Sequence, residues 1–124
     1  MKKQKLLLVD DDEIVHMTIQ RMLVDKGFDA VIAESGKQAI EKLEKDSCYD
    51  LVITDLRMPG ITGLDVFNKV LETNVNIPVM VMSGFSEDSP LFKEAIELKP
   101  CSHLLKPFTK EELLEKIHIC LKMR

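Results

Sequence analysis

Three carboxylates, a hydroxyl and an ammonium fall at the same kind of place in this chain. Asp10 and Asp11 follow the apolar run Leu6 to Val9, and Asp55 comes just after Leu51-Val52-Ile53. Ser83 follows Pro78-Val79-Met80-Val81-Met82, and Lys106 follows His103-Leu104-Leu105. Short apolar and β-branched runs read as buried strands, so each polar group stands at a strand's end. If those ends lie side by side, they form one compact site. Crowded carboxylates resist ionising unless a cation neutralises them. Oxygen-only ligands suit a hard divalent ion, of which Mg2+ is the usual one. Ser83 and Lys106 add donors for anionic oxygens. With Mg2+, they could surround a phosphoryl group on Asp55, since a carboxylate can attack phosphorus and such transfer needs mostly positioning and charge neutralisation.

Each member alone also has a plainer reading. Asp10-Asp11-Asp12-Glu13 before a helix is often cap and dipole chemistry. A serine after a strand is often a turn residue, and a lone lysine is often a solvated charge. Their joint occurrence, each at a strand end, points to a site.

The elements that must position them alternate along the whole chain. The central stretch runs Tyr49-Asp50-Leu51-Val52-Ile53-Thr54-Asp55-Leu56-Arg57-Met58-Pro59-Gly60. Its Pro-Gly pair is turn chemistry, which places Asp55 where a buried strand breaks into a loop. The first strand, Leu6 to Val9, leads into a helix from about Glu13 to Lys26, with Val15, Ile19, Met22 and Leu23 on one face and Gly27 ending it. Phe28 to Ala33 reads as a second strand. Ser35 with Gln38 forms a capping-box start for a helix to about Lys45. Leu64, Phe67 and Leu71 mark a third helix. A fourth spans about Asp88 to Leu98, stopped by Pro100. Thr109 with Glu112 is a second capping box, opening a last helix through Leu113, Ile117 and Leu121. Five strand–helix pairs in alternation imply an α/β domain, a parallel sheet with helices on both faces.

At 124 residues the chain is one domain with a single core. Seventeen basic against 21 acidic residues give a net charge of −4, and no basic stripe appears, which disfavours direct nucleic-acid binding. The opening Met1-Lys2-Lys3-Gln4-Lys5 precedes an apolar run too short for a signal peptide or a membrane span. Cys48, Cys101 and Cys120 lack CxxC spacing and read as small packing residues in a reduced, cytoplasmic setting. His16 and His118 show no metal spacing and read as surface or interface residues.

Leu7-Leu8-Val9-Asp10-Asp11, Asp55-Leu56-Arg57-Met58-Pro59-Gly60, Ser83-Gly84 and Lys106-Pro107-Phe108 together resemble the response-regulator receiver domain of two-component signalling, of the single-domain chemotaxis and sporulation type. The resemblance covers essentially the entire chain, residues 1–124. It implies a flavodoxin-like (βα)5 fold with strand order 2-1-3-4-5. It implies that Asp55 accepts a phosphoryl group from a histidine on a sensor kinase or phosphotransfer protein. Asp11 and Asp55 would be Mg2+ ligands, with Asp10 nearby and often acting through water, and the Arg57 backbone carbonyl would be a further ligand. Ser83 would bond a phosphoryl oxygen, Lys106 would pair with the phosphoryl group, and the Lys106–Pro107 bond would be cis. Asp12 would cap the first helix. Such a chain is no enzyme beyond its own phosphorylation and dephosphorylation. It signals through a downstream protein or an attached output domain, with no membrane association.

The chain departs from the family pattern in places. His103 stands where an aromatic residue often changes rotamer as Ser83 moves, and it could serve as the switch or simply begin a strand. Lys99-Pro100-Cys101 replaces the usual Gly-Ala, so the fourth helix should end differently. Phe85 could shield the phosphoryl group from water. Two other classes compete. A haloacid-dehalogenase-like phosphohydrolase would use Asp10 and Asp12 and leave Asp55 unexplained. A pseudo-receiver would be an interaction module that is never phosphorylated.

Overall fold

The structure is a computed structural model that describes residues 3–46, 48–74, 76–84 and 89–123. Strands β1 (Gln4–Val9), β2 (Phe28–Ala33), β3 (Leu51–Asp55), β4 (Val79–Ser83) and β5 (Ser102–Leu105) alternate with helices α1 (Glu13–Leu23), α2 (Gly36–Lys45), α3 (Gly63–Thr73), α4 (Pro90–Glu97) and α5 (Lys110–Lys122). All four pairings are parallel, and the strand order is β2-β1-β3-β4-β5, as the family resemblance implies.

Strand parity sorts the core into two layers. Leu7, Val9, Val52, Val79 and Val81 pack under α2, α3 and α4 through Ala39, Leu43, Val66, Phe67, Val70 and Ala95. Leu6, Leu8, Leu51, Ile53, Met80, Met82 and Leu104 face α1 and α5 through Ile19, Leu23, Leu113 and Ile117. Covering both faces is what lets the inner strands be apolar throughout, with Leu6 to Val9 at most 1% exposed. The order reverses between β1 and β3, so the crevice beyond their carboxyl ends is where a ligand belongs in an open parallel sheet.

Local chemistry sets most helix starts. Asp12 caps α1, accepting from the Ile14 N–H at 2.9 Å, as expected. Thr109 and Glu112 form the expected capping box of α5, and Thr62 with Asp65 forms another at α3. At α2 the box is only half made. Ser35 accepts from Gln38 N–H at 3.1 Å, but the Gln38 side chain accepts from Glu34, one residue before the cap.

Three further expectations are corrected. Helix α1 ends at Leu23 rather than near Lys26, because Val24 turns extended and Asp25 takes a left-handed φ of 63° before Gly27 does so at 84°. His16 is buried rather than on the surface, whereas His118 is exposed beside Phe28. Cys101 and Cys120 are not separate thiols but a disulfide tying the approach to β5 to the last turn of α5, their Cα atoms 5.1 Å apart. Cys48 is an exposed free thiol, so none of the three is a plain packing residue, and cysteine usage no longer supports a reducing setting. The Lys106–Pro107 bond is cis, and Lys99 ends the α4 turn at a φ of 60°. Among the described residues, no helix is long and apolar enough to cross a membrane. Phe85, and Asp88 as the expected start of α4, lie outside the described residues; within them α4 is capped by Ser89, which accepts from Phe92 N–H.

Candidate functional site

Four strand ends meet where the sheet order reverses. Asp55 is the last residue of β3 and is 8% exposed. Its main chain is clamped from several sides. Leu56 N–H donates to Met82 O at 3.2 Å, Gly63 N–H donates to Leu56 O at 3.0 Å, and Thr54 Oγ1 donates to Asp55 O at 2.9 Å. Gly63 lies so close that a Cβ there would stand 2.0 Å from the Asp55 carbonyl oxygen, so only glycine fits at the start of α3.

Asp10 is buried beyond β1, with Oδ1 accepting from Asp12 N–H at 2.9 Å. Asp11 is exposed beside it. One carboxylate oxygen from each of Asp10, Asp11 and Asp55 can lie within 4.8 Å of the others, a cluster that could hold a metal ion. Asp12, occupied in capping α1, does not join it. Lys106 reaches across from the end of β5, its Nζ 2.7 Å from Asp10 Oδ2 and 3.4 Å from Asp55 Oδ2. Its backbone N–H donates to Ser83 O at 2.9 Å, which fixes its stem to β4.

The electrostatics follow from burial. Desolvation, and then the Asp10 carboxylate, push the Asp55 carboxyl up to about 6, while the Lys106 charge pulls the other way. Burial would lower the Lys106 ammonium, but its hydrogen bond to Asp10 and the charges of Asp55 and Asp10 outweigh this, leaving a net rise. Asp55 thus resists ionising in this arrangement, and a cation placed among the carboxylates would favour its charged form. Three oxygen donors and no sulfur or nitrogen make the cluster a fit for a hard divalent ion, Mg2+ among them.

A cleft opens above Asp55, lined also by Arg57, Ser83, Gly84, Ser89 and Lys106. Ser83 Oγ and His103 Nε2 share a hydrogen bond of 2.7 Å, and the His103 ring lies 4.6 Å from that of Phe92, tilted by 59°. The site residues read from the sequence, Asp10, Asp11, Asp55, Ser83 and Lys106, are therefore neighbours, with Arg57 at the rim and His103 one hydrogen bond away. Ser89, Gly63 and His16 were missed. A serine before Pro90 signals a cap but not a cleft wall, Gly63 carries no short-range signal of its contact with Asp55, and His16 shares the spacing of Ile19 and Leu23.

The response regulator receiver domain profile matches residues 6–118. The chain belongs to the response regulator receiver family. Among curated relatives, this receiver is 31% identical over 118 residues to the cell cycle transcriptional regulator CtrA of Caulobacter vibrioides, covering 95% of this chain and 50% of that protein. It is 27% identical over 124 residues to the sporulation initiation phosphotransferase F of Bacillus subtilis, covering 100% and 98%. It spans about half the length of the first of these and nearly all of the second. Among solved structures, FixJ-N superposes with a TM-score of 0.84 at 26% identity, covering 98% of this chain and 96% of that one. The chemotaxis protein CheY4 of Vibrio cholerae does so with a TM-score of 0.84 at 28% identity, covering 96% and 99%.

Proposed function

We propose that this receiver is a phosphorylation-dependent switch in which Asp55 takes a phosphoryl group from a phosphohistidine of a sensor kinase or phosphotransfer protein. The observation that carries this is the convergence of Asp10, Asp11 and Asp55 with the Lys106 ammonium at the switch point of the sheet. In the transfer an Asp55 oxygen forms the new O–P bond as the N–P bond breaks and the electron pair returns to the imidazole. Mg2+ held by Asp10, Asp11 and Asp55, with the Arg57 carbonyl as a further ligand, would supply charge neutralisation there. Lys106 is within reach to pair with a phosphoryl oxygen, and Ser83 can donate a hydroxyl proton to another.

A serine hydroxyl has one proton to donate. Where Ser83 is the donor in its hydrogen bond with His103, giving that proton to a phosphoryl oxygen alters the bond and the set of the His103 ring, which lies tilted against Phe92. This gives β5 and α4 two states for a partner to read, which is the outward signal. An apolar groove formed by Ile14, Val15, Thr18, Pro107 and Phe108 ends at Lys106 and supports docking of the donor protein beside the acids. The same proposal includes output through a downstream protein or an attached domain, and a cytoplasmic location that rests on access to the phosphohistidine donor and not on the cysteines, since Cys101 and Cys120 are bonded.

The test is incubation with Mg2+ and a small acyl phosphate, followed by mass spectrometry to locate the modified residue. Modification at Asp55 that disappears with chelator is expected. Modification at Asp10 would favour hydrolase-type chemistry, and no modification would leave a pseudo-receiver; either result sinks the proposal.

A further inference from the structure

His16 is 7% exposed, on the stripe of α1 that it shares with buried Ile19 and Leu23. Its Nε2 is hydrogen-bonded to the backbone carbonyl of Asp10. A carbonyl only accepts, so this nitrogen carries the proton and the ring is fixed as an Nε2–H donor. Asp10 has just left the sheet. The pairing of β1 ends at Val9, and the Asp10 N–H makes a last bond to Ala33 O at 3.2 Å. Beyond that bond, the ladder no longer dictates the direction of the chain.

The Asp10 carbonyl and the Asp11 N–H belong to one rigid peptide plane. Holding the oxygen therefore orients the plane, and with it the direction in which the Asp11 side chain departs. The Asp10 carboxylate has its own supports in the Asp12 N–H and Lys106 Nζ, at 2.9 and 2.7 Å. Asp11 is exposed, so its aim rests more on its backbone.

We propose that His16 is a positioning residue for divalent-cation binding, orienting the Asp10–Asp11 peptide so that both carboxylates face the same point as Asp55. This rests on the proposal that these acids hold Mg2+. Partners that orient metal ligands from behind typically govern affinity by tenfold or more. Here the partner acts on the peptide that joins two of the acids rather than on a carboxylate.

Calorimetric Mg2+ titration of the full chain and of two variants tests it. His16→Leu keeps an apolar side chain on the stripe but no donor, and should bind Mg2+ about tenfold more weakly. His16→Gln offers an amide N–H at similar reach, and should restore affinity to within about threefold. Equal binding by all three proteins overturns the inference, and so does equal weakening in both variants, which would mark a packing role. If His16→Leu does not fold, imidazole 15N shifts of the wild type decide. The inference requires the Nε2–H form and a change in those shifts on adding Mg2+; an Nδ1–H ring or an unresponsive one overturns it. A wild type that binds no Mg2+ overturns the cation site itself, an outcome distinct from normal binding that ignores His16.

Discussion

Replacing Asp55 by asparagine should stabilise the metal-free protein, although it removes the proposed phosphoacceptor. Burial first and the Asp10 carboxylate second raise the Asp55 carboxyl from 3.8 to about 6. A folded-state value above the unfolded one means the native chain holds a proton that the unfolded chain has released. Ionised Asp55 therefore opposes folding, with the penalty absent below about pH 4, growing between about pH 4 and 6, and complete above. The rise from 3.8 to about 6, discounted for the solvent that reaches the carboxyl, makes about 2 to 3 kcal/mol. Asparagine imitates the neutral acid, so Asp55→Asn should gain about that much near pH 7.5 in chelator. For 124 residues this is a rise of about 10 °C in the thermal midpoint. The gain should vanish near pH 4, where the parent is itself protonated. It should also shrink in Mg2+, because a bound cation stabilises the parent's three carboxylates more than the variant's two. Melting curves of both proteins at the two pH values, with and without Mg2+, are sufficient. An Asp55→Asn protein that melts no higher than its parent near pH 7.5 without metal, or a gap independent of pH, would refute the electrostatic account of the site.

Lys106→Met removes the ammonium paired with Asp10 and Asp55, which should cost about 2 kcal/mol without metal and move the Asp55 carboxyl above its present value of about 6, as followed by carboxyl 13C shifts against pH. Gly63→Ala forces a Cβ to within 2.0 Å of the Asp55 carbonyl oxygen, so α3 must move away; a loss of at least about 3 kcal/mol in denaturant unfolding is expected, together with slower phosphorylation. Reducing the Cys101–Cys120 bond opens a loop of 19 residues' separation and should cost about 3 kcal/mol, seen as a lower midpoint in dithiothreitol and no change in a Cys101→Ala/Cys120→Ala protein.

What the sequence made legible is what short-range chemistry controls. The strand ends were readable because each apolar run stops at a group that cannot stay in a dry sheet, as at Asp55 and Lys106. The α5 start was readable because Thr109 and Glu112 satisfy each other locally. The end of α1 was not, since Val24-Asp25-Lys26 continues a helical pattern, and the break comes from backbone angles, the extended Val24 and the left-handed Asp25. The disulfide was hidden because Cys101 and Cys120 meet only once α5 lies on β5. His16 could have been found. It falls three and seven residues before Ile19 and Leu23, on the same face, but a histidine outside any metal spacing reads as a surface or interface residue.

The clamp on the main chain at Asp55 has a mechanical consequence. Leu56 is tied to β4 and to Gly63, the Asp55 carbonyl is pinned by Thr54, and Gly63 leaves no gap for recoil. A group carrying about two negative charges, attached at that point, meets a fixed post rather than a hinge. On the proposal above, the strain of accommodating it would pass to the parts with freedom to respond, the rotamers of Lys106 and of Ser83 and, through Ser83, the His103 ring. If Asp55 is the phosphoacceptor, as proposed, rigidity there would give the switch its direction, since a yielding Asp55 would absorb the event where it occurred.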